Sequence, residues 1–114
     1  MTEIRTGRNL VTLINVFTVE PAQQQRLVDV LVEATHAVMN GLPGFISANI
    51  HRSVDGTRVV NYAQWRSRED FERMLQHPDA IPHMREAGRL ASFEPNLYEV
   101  VYVDEAADTR DADS

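Results

Sequence analysis

Two β-patterned segments meet at a Val-Asp-Gly-Thr turn in the middle of this chain, and no other feature limits the possible folds as tightly. "FISANIHRS" (45–53) and "RVVNYAQW" (58–65) are rich in β-branched and aromatic residues. Such runs read as strands, and Asp-Gly between them is a strong hairpin signal, because a tight loop needs residues that tolerate positive φ. An antiparallel pair therefore sits at the centre. What flanks it decides the topology.

Upstream, "LVTLINVFTV" (10–19) reads as a first strand. "EPAQQQ" follows, with Pro21 suited to a first helical turn. Leu27, Val30, Leu31, Ala34 and Val38 then recur at spacings of three and four, which predicts an amphipathic helix to about Asn40. "GLPG" (41–44) stops it. Downstream of the hairpin, Ser67 with Asp70 three positions on is a variant capping box and opens a second helix. "HPDAIPHM" (77–84) interrupts that helix, and "REAGRLA" (85–91) resumes the helical pattern. "NLYEVVYV" (96–103) is the expected fourth strand.

The order is β-α-β-β-α-β, an α+β, ferredoxin-like arrangement with one antiparallel sheet. The expected division is a flexible arm at 1–9, one domain at 10–103 and an acidic, disordered tail at 104–114. The helices cover one sheet face only. Yet the first strand is apolar on both faces, with Val11, Leu13, Phe17 and Val19 alternating against Ile14 and Val16. The uncovered face needs a partner. A second copy is the simplest one, since closed two-fold dimers are the commonest oligomers. Two facing sheets would form a dimeric α+β barrel.

Composition narrows the function classes. The net charge of −6 argues against nucleic-acid binding. No apolar run approaches the roughly 20 residues of a membrane span, and the first residues show no secretory signal core, so a cytoplasmic protein is expected. The absence of cysteine removes disulfides, thiolate catalysis and thiolate-bound metals. All 11 basic residues are arginine, which removes lysine Schiff-base chemistry.

The strand "VVNYAQW" (59–65) carries the one anomaly. Alternation places Asn61, Ala63 and Trp65 on the face with Val59, which should be core. It likewise places Asn15 with Leu13 and Phe17. In this topology the first and third strands are central neighbours, so two amides and the sole tryptophan share one face. A buried amide without partners costs roughly 1–3 kcal/mol. Each asparagine alone can be satisfied by nearby backbone, with Trp65 as plain core. Together they also fit an apolar pocket whose amides donate to a developing oxyanion. The four histidines, His36, His51, His77 and His83, show no zinc spacing. His83 is placed to carry a proton at a pocket mouth or to remain a surface histidine. Arg85 reads either as an anchor for an anionic substrate or as a solvated helix residue.

"VTLINVFTV", "GLPGF" and "VVNYAQW" after a "DGT" turn, in this order and spacing, resemble the antibiotic biosynthesis monooxygenase (ABM) family over about residues 10–103. The chain looks most like the cofactor-independent anthrone oxygenases of aromatic polyketide pathways. The resemblance implies a homodimer, a small aromatic substrate, molecular oxygen as co-substrate and no cofactor or metal. It also implies catalytic roles for Asn15, Asn61 and Trp65, the positions that match a first-strand Asn and a third-strand Asn and Trp. A phenolic substrate would lose a carbon-bound proton. Its carbanion would reduce O2 and form a peroxide, and loss of water would leave a quinone. Asn15 and Asn61 would stabilise the oxyanion while Trp65 stacks on the ring. Solvent, His51 or His83 would take the proton. Ile50 and Phe71 stand where some relatives have tyrosines, so a tyrosine-dependent route is not expected. Arg85 matches an arginine, and His51, His83, Arg85 and Phe71 complete the expected substrate contacts. Two alternatives share this fold: a heme-degrading oxygenase using Asn15 and His83, with Met74 where a tryptophan is expected, and a binding or isomerase module without O2 chemistry.

Overall fold

The structure, a computed structural model, describes residues 1–107. Residues 108–114 of the expected acidic tail lie outside the described residues. Strand β1 spans Val11–Val19. After a single 3-10 turn at Pro21–Gln23, helix α1 runs Gln24–Ala37, and a second 3-10 turn follows at Met39–Gly41. The one helix expected to about Asn40 is thus tightened at both ends. β2 (Phe45–Arg52) and β3 (Arg58–Trp65) form the hairpin. Asp55 fixes its turn: the Ser53 and Thr57 hydroxyls both donate to the Asp55 carboxylate, at 2.7 Å each. Those two bonds, with the Thr57 backbone N–H, hold the Asp55 pKa down at about 2.

Helix α2 (Arg68–Leu75) is capped as its sequence predicts, with Ser67 Oγ accepting from the Asp70 backbone N–H at 3.1 Å. Helix α3 covers Ile81–Leu90 and begins inside the stretch expected to interrupt it. Pro82 sits in its first turn, where the missing N–H has no intrahelical partner to lose.

The fourth strand corrects the sequence reading. β4 spans Ala91–Tyr98, five residues earlier than the expected 96–103. Its "ASFEPNLY" contains Glu94 and Pro95, which lower β propensity, while the β-branched residues lie further on at Val100, Val101 and Val103. The sheet order β2-β3-β1-β4 makes β4 an edge, where proline is tolerated. Val101 and Tyr102 continue past the sheet, both strongly exposed.

All neighbouring strands are antiparallel. Rungs follow the register. Leu13 pairs with Ala63 and Leu97, Asn15 with Asn61 and Pro95, and Phe17 with Val59 and Phe93. The helices pack on this face, and the core beneath them falls into two clusters. One centres on Leu13, Ala63, Trp65, Phe71 and Met74, the other on Phe17, Val19, Leu27, Val59 and Ala87. The asparagine rung lies between them. On the opposite face Ile14, Val16, Val60 and Tyr62 are only half-buried. The N-terminal residues cross one end of that face, where Gln64 Nε2 donates to the Glu3 carbonyl at 2.8 Å and Thr2 Oγ1 to Asn49 Oδ1 at 2.9 Å. Among the described residues no helix is long and apolar enough to cross a membrane.

Candidate active site

Between the sheet and its helices lies a cavity of about 480 Å³, within the roughly 300–1,000 Å³ typical of ligand pockets. Its floor is Leu13, Asn15 and Phe17 of β1 with Asn61 of β3. Strand alternation delivers all four to one side. Phe93, Pro95 and Leu97 of β4 extend that floor to the sheet edge. Phe17 and Phe93 meet there with ring centroids 5.7 Å apart.

The two amides are the polar feature of this floor. Asn15 and Asn61 are direct partners across the central strands. Both Oδ1 atoms are buried, and neither has a hydrogen-bond partner among the described residues. A buried acceptor left unsatisfied costs about 1–3 kcal/mol. Two on one rung amount to a standing demand for a polar group in the cavity. Each amide also carries two N–H donors, so the pair can accept from a hydroxyl and donate to an oxyanion.

The roof comes from the helices. On α2, Arg68, Phe71, Glu72 and Leu75 line the cavity at helical positions i, i+3, i+4 and i+7. On α3, His83, Met84 and Ala87 do so. Leu31 and Ala34 of α1 close the remaining side. Arg68, Glu72 and His83 are the titratable residues of the lining. Arg68, Glu72 and the methionines were not expected at a site, although extending the helical period from Phe71 identifies Arg68, Glu72 and Leu75.

Helix α2 is held in place by an ionic cluster behind the cavity. Asp70, 4% exposed, accepts from Arg66 Nε at 2.9 Å and from a terminal Arg66 nitrogen at 3.1 Å. Arg73 reaches its other side at 2.8 Å, and Ser67 Oγ donates at 2.9 Å. The Arg66 hydrogen bonds, foremost, keep the Asp70 carboxyl below its usual range, helped by Ser67 and Arg73. Gly44 packs against this carboxylate with φ +85°.

The remaining expected residues separate. Phe71 lines the cavity, but Trp65 does not: it is 2% exposed and sits between Phe45 and Phe71. Trp65 shares the face of Asn61, as alternation requires, but stands two rungs away, at the strand end, under α2. The aromatic side chain that α2 presents to the cavity is Phe71, with Trp65 packed behind it. His51 is on the opposite face, since it pairs with outward-facing Val60, and its Nδ1 lies 3.1 Å from the Asn49 carbonyl oxygen. Arg85 is exposed and absent from the lining, because residues 83, 84 and 87 take the inner side of α3. Among the described residues no three of His, Asp or Glu gather to hold a metal ion.

This fold and this pocket define an α+β protein with a small-molecule-sized cavity between sheet and helices. The sequence pattern of the family described as antibiotic biosynthesis monooxygenase matches residues 10–89, and the chain belongs to that family. It is 42% identical over 102 residues to tetracenomycin-F1 monooxygenase of Streptomyces glaucescens, covering 90% of this chain and 91% of the relative. Among solved structures it is similar to SnoaB, a cofactor-independent oxygenase from Streptomyces nogalater. The identity is 28% and the TM-score 0.73, covering 84% of this chain and 97% of that one. It is also similar to the ActVA-Orf6 monooxygenase of Streptomyces coelicolor, solved with nanaomycin D. Here the identity is 26% and the TM-score 0.76, covering 85% and 92%.

Proposed function

We propose that this protein is a cofactor-independent monooxygenase that oxidises an aromatic polyketide phenol of anthrone or naphthacenone type to the quinone with O2. The observation that carries the proposal is the Asn15–Asn61 rung: two amides with unsatisfied oxygens on a cavity floor whose β1 neighbours, Leu13 and Phe17, are apolar. The kinship with tetracenomycin-F1 monooxygenase and SnoaB supports the same chemistry.

An electron-rich phenol supplies the electrons that a flavin or metal supplies elsewhere. Losing a carbon-bound proton makes it a delocalised carbanion with its charge largely on oxygen. Asn15 and Asn61 hold that oxygen, an effect of up to about 3–4 kcal/mol for one well-placed donor. The carbanion passes an electron to O2, the radical pair combines to a peroxide, and water leaves to give the carbonyl. One oxygen atom ends in product and one in water. Phe71 and the apolar walls hold the flat ring and exclude bulk water. Trp65 fixes Phe71 from behind.

The homodimer belongs to the same proposal. The half-buried Ile14, Val16, Val60 and Tyr62 form an apolar face without a helix on it, and a second copy covers it. Light scattering after gel filtration tests this: Val16→Arg is expected to yield monomer, and a wild-type monomer would exclude the barrel.

The oxygenase is tested with purified protein, no added metal or flavin, and the model anthrone dithranol. Accelerated O2 uptake is expected. A rate equal to buffer removes this substrate class. Hemin added to the same preparation is expected to leave the Soret band unshifted.

A further inference from the structure

We infer that His83 is the proton acceptor of this reaction, an assignment that rests on the oxygenase reading of the cavity. Forming the carbanion requires a proton acceptor, solvent or a base on the cavity wall, and a wall base is held against the reacting carbon as bulk solvent is not. Asn15 and Asn61 are not basic, and His51 lies across the sheet on the other face. The titratable lining residues are Arg68, Glu72 and His83. A guanidinium stays protonated and accepts nothing. Glu72 is solvent-exposed, and a carboxylate is the weaker base. His83 is half-buried in the first turn of α3, beside Met84 and Ala87, which share the wall. An imidazole is the side chain suited to take and return a proton near neutral pH.

The step balances. The substrate C–H bond breaks, its electron pair stays on carbon and spreads to the phenolate oxygen, and the proton moves to an imidazole nitrogen. After O2 adds, the imidazolium returns that proton to the peroxide, which becomes a hydroperoxide and then loses water. His83 ends neutral. The other charged residues of the cavity lining are Arg68 and Glu72 of α2. The lining residues from α1 and β4 carry no titratable group.

The test separates proton removal from oxygenation. Dithranol is incubated anaerobically in D2O, and loss of its methylene proton signal is followed by NMR. Wild-type protein is expected to speed exchange over buffer. His83→Asn, folded by circular dichroism, is expected to lose about 10²-fold with dithranol binding retained, and added imidazole should restore part of the rate. His83→Gln serves if the first variant does not fold. Exchange that persists in the folded variant, or that is lost instead in Glu72→Gln, overturns the assignment. If wild type exchanges protons but takes up no O2, the oxygenase reading fails while the base stands. If O2 uptake is present and the His83 variant exchanges normally, only the base is wrong.

Discussion

Asn15 stands directly opposite Asn61 on the two central strands, and the rung they form parts the helix-covered core into two apolar clusters. A core that is split by two unsatisfied amides gives up stability at that rung. Asn15→Leu and Asn61→Leu should therefore raise the unfolding free energy, by at most about 1–3 kcal/mol each. O2 uptake with dithranol should fall roughly 10²–10³-fold. Urea unfolding and oxygen-electrode rates on the same preparations check both halves. A loss of stability in step with activity would mark the asparagines as ordinary structural residues.

Trp65 meets Phe71 edge-on, with centroids 6.3 Å apart at 66°. Such pairs contribute about 0.5–1.5 kcal/mol beyond area burial. Trp65→Ala should lower stability by about 3–5 kcal/mol. Trp65→Phe should keep the fold and lower turnover by letting Phe71 shift. Stopped-flow turnover alongside thermal melting separates the two variants. Full activity in Trp65→Phe would show that Phe71 needs no support from behind.

Gly44 holds φ +85°, and a Cβ built there would lie 2.5 Å from Asp70 Cβ. Gly44→Ala must therefore either strain the backbone or push Asp70 off its arginines. The backbone component alone is of order 1–3 kcal/mol. Calorimetry should record a clear fall in Tm, larger than that of Gly41→Ala, where a Cβ meets nothing within 4 Å.

Acid should loosen the hairpin turn and the start of α2 together. Asp55 and Asp70 both have carboxyl pKa values lowered in the folded chain. Their contributions are complete above the unfolded value and disappear as pH falls through the folded one. For Asp55 that window runs from 3.8 down to about 2. Urea midpoints measured down that range should drop steadily. Asp70→Asn should lower the neutral-pH midpoint and flatten the acid slope.

Much of this was legible in the sequence because it rests on periodicity. Alternation alone put Asn15 and Asn61 on one face, and strand order made them neighbours. The Ser67–Asp70 cap and the Asp-Gly turn were readable as local chemistry. The fourth strand was not, because Pro95 reads as a strand breaker until its edge position is known. Trp65 was placed on the correct face but not at the correct depth, since alternation fixes direction and says nothing of what packs on top. Arg68 and Glu72 carried a helical signal, masked by the ordinary expectation that charged helix residues face solvent. The disqualification of His51 as a base needed only its strand phase, one residue from Ile50.

Pro95 pairs with Asn15 on the outermost strand. A proline there has no N–H to offer an incoming chain. The β4 border is thereby made a poor template for strand-by-strand growth. The same residue forms part of the cavity floor, so one rigid ring both closes a flank against fibre-like stacking and shapes the chamber beneath the helices.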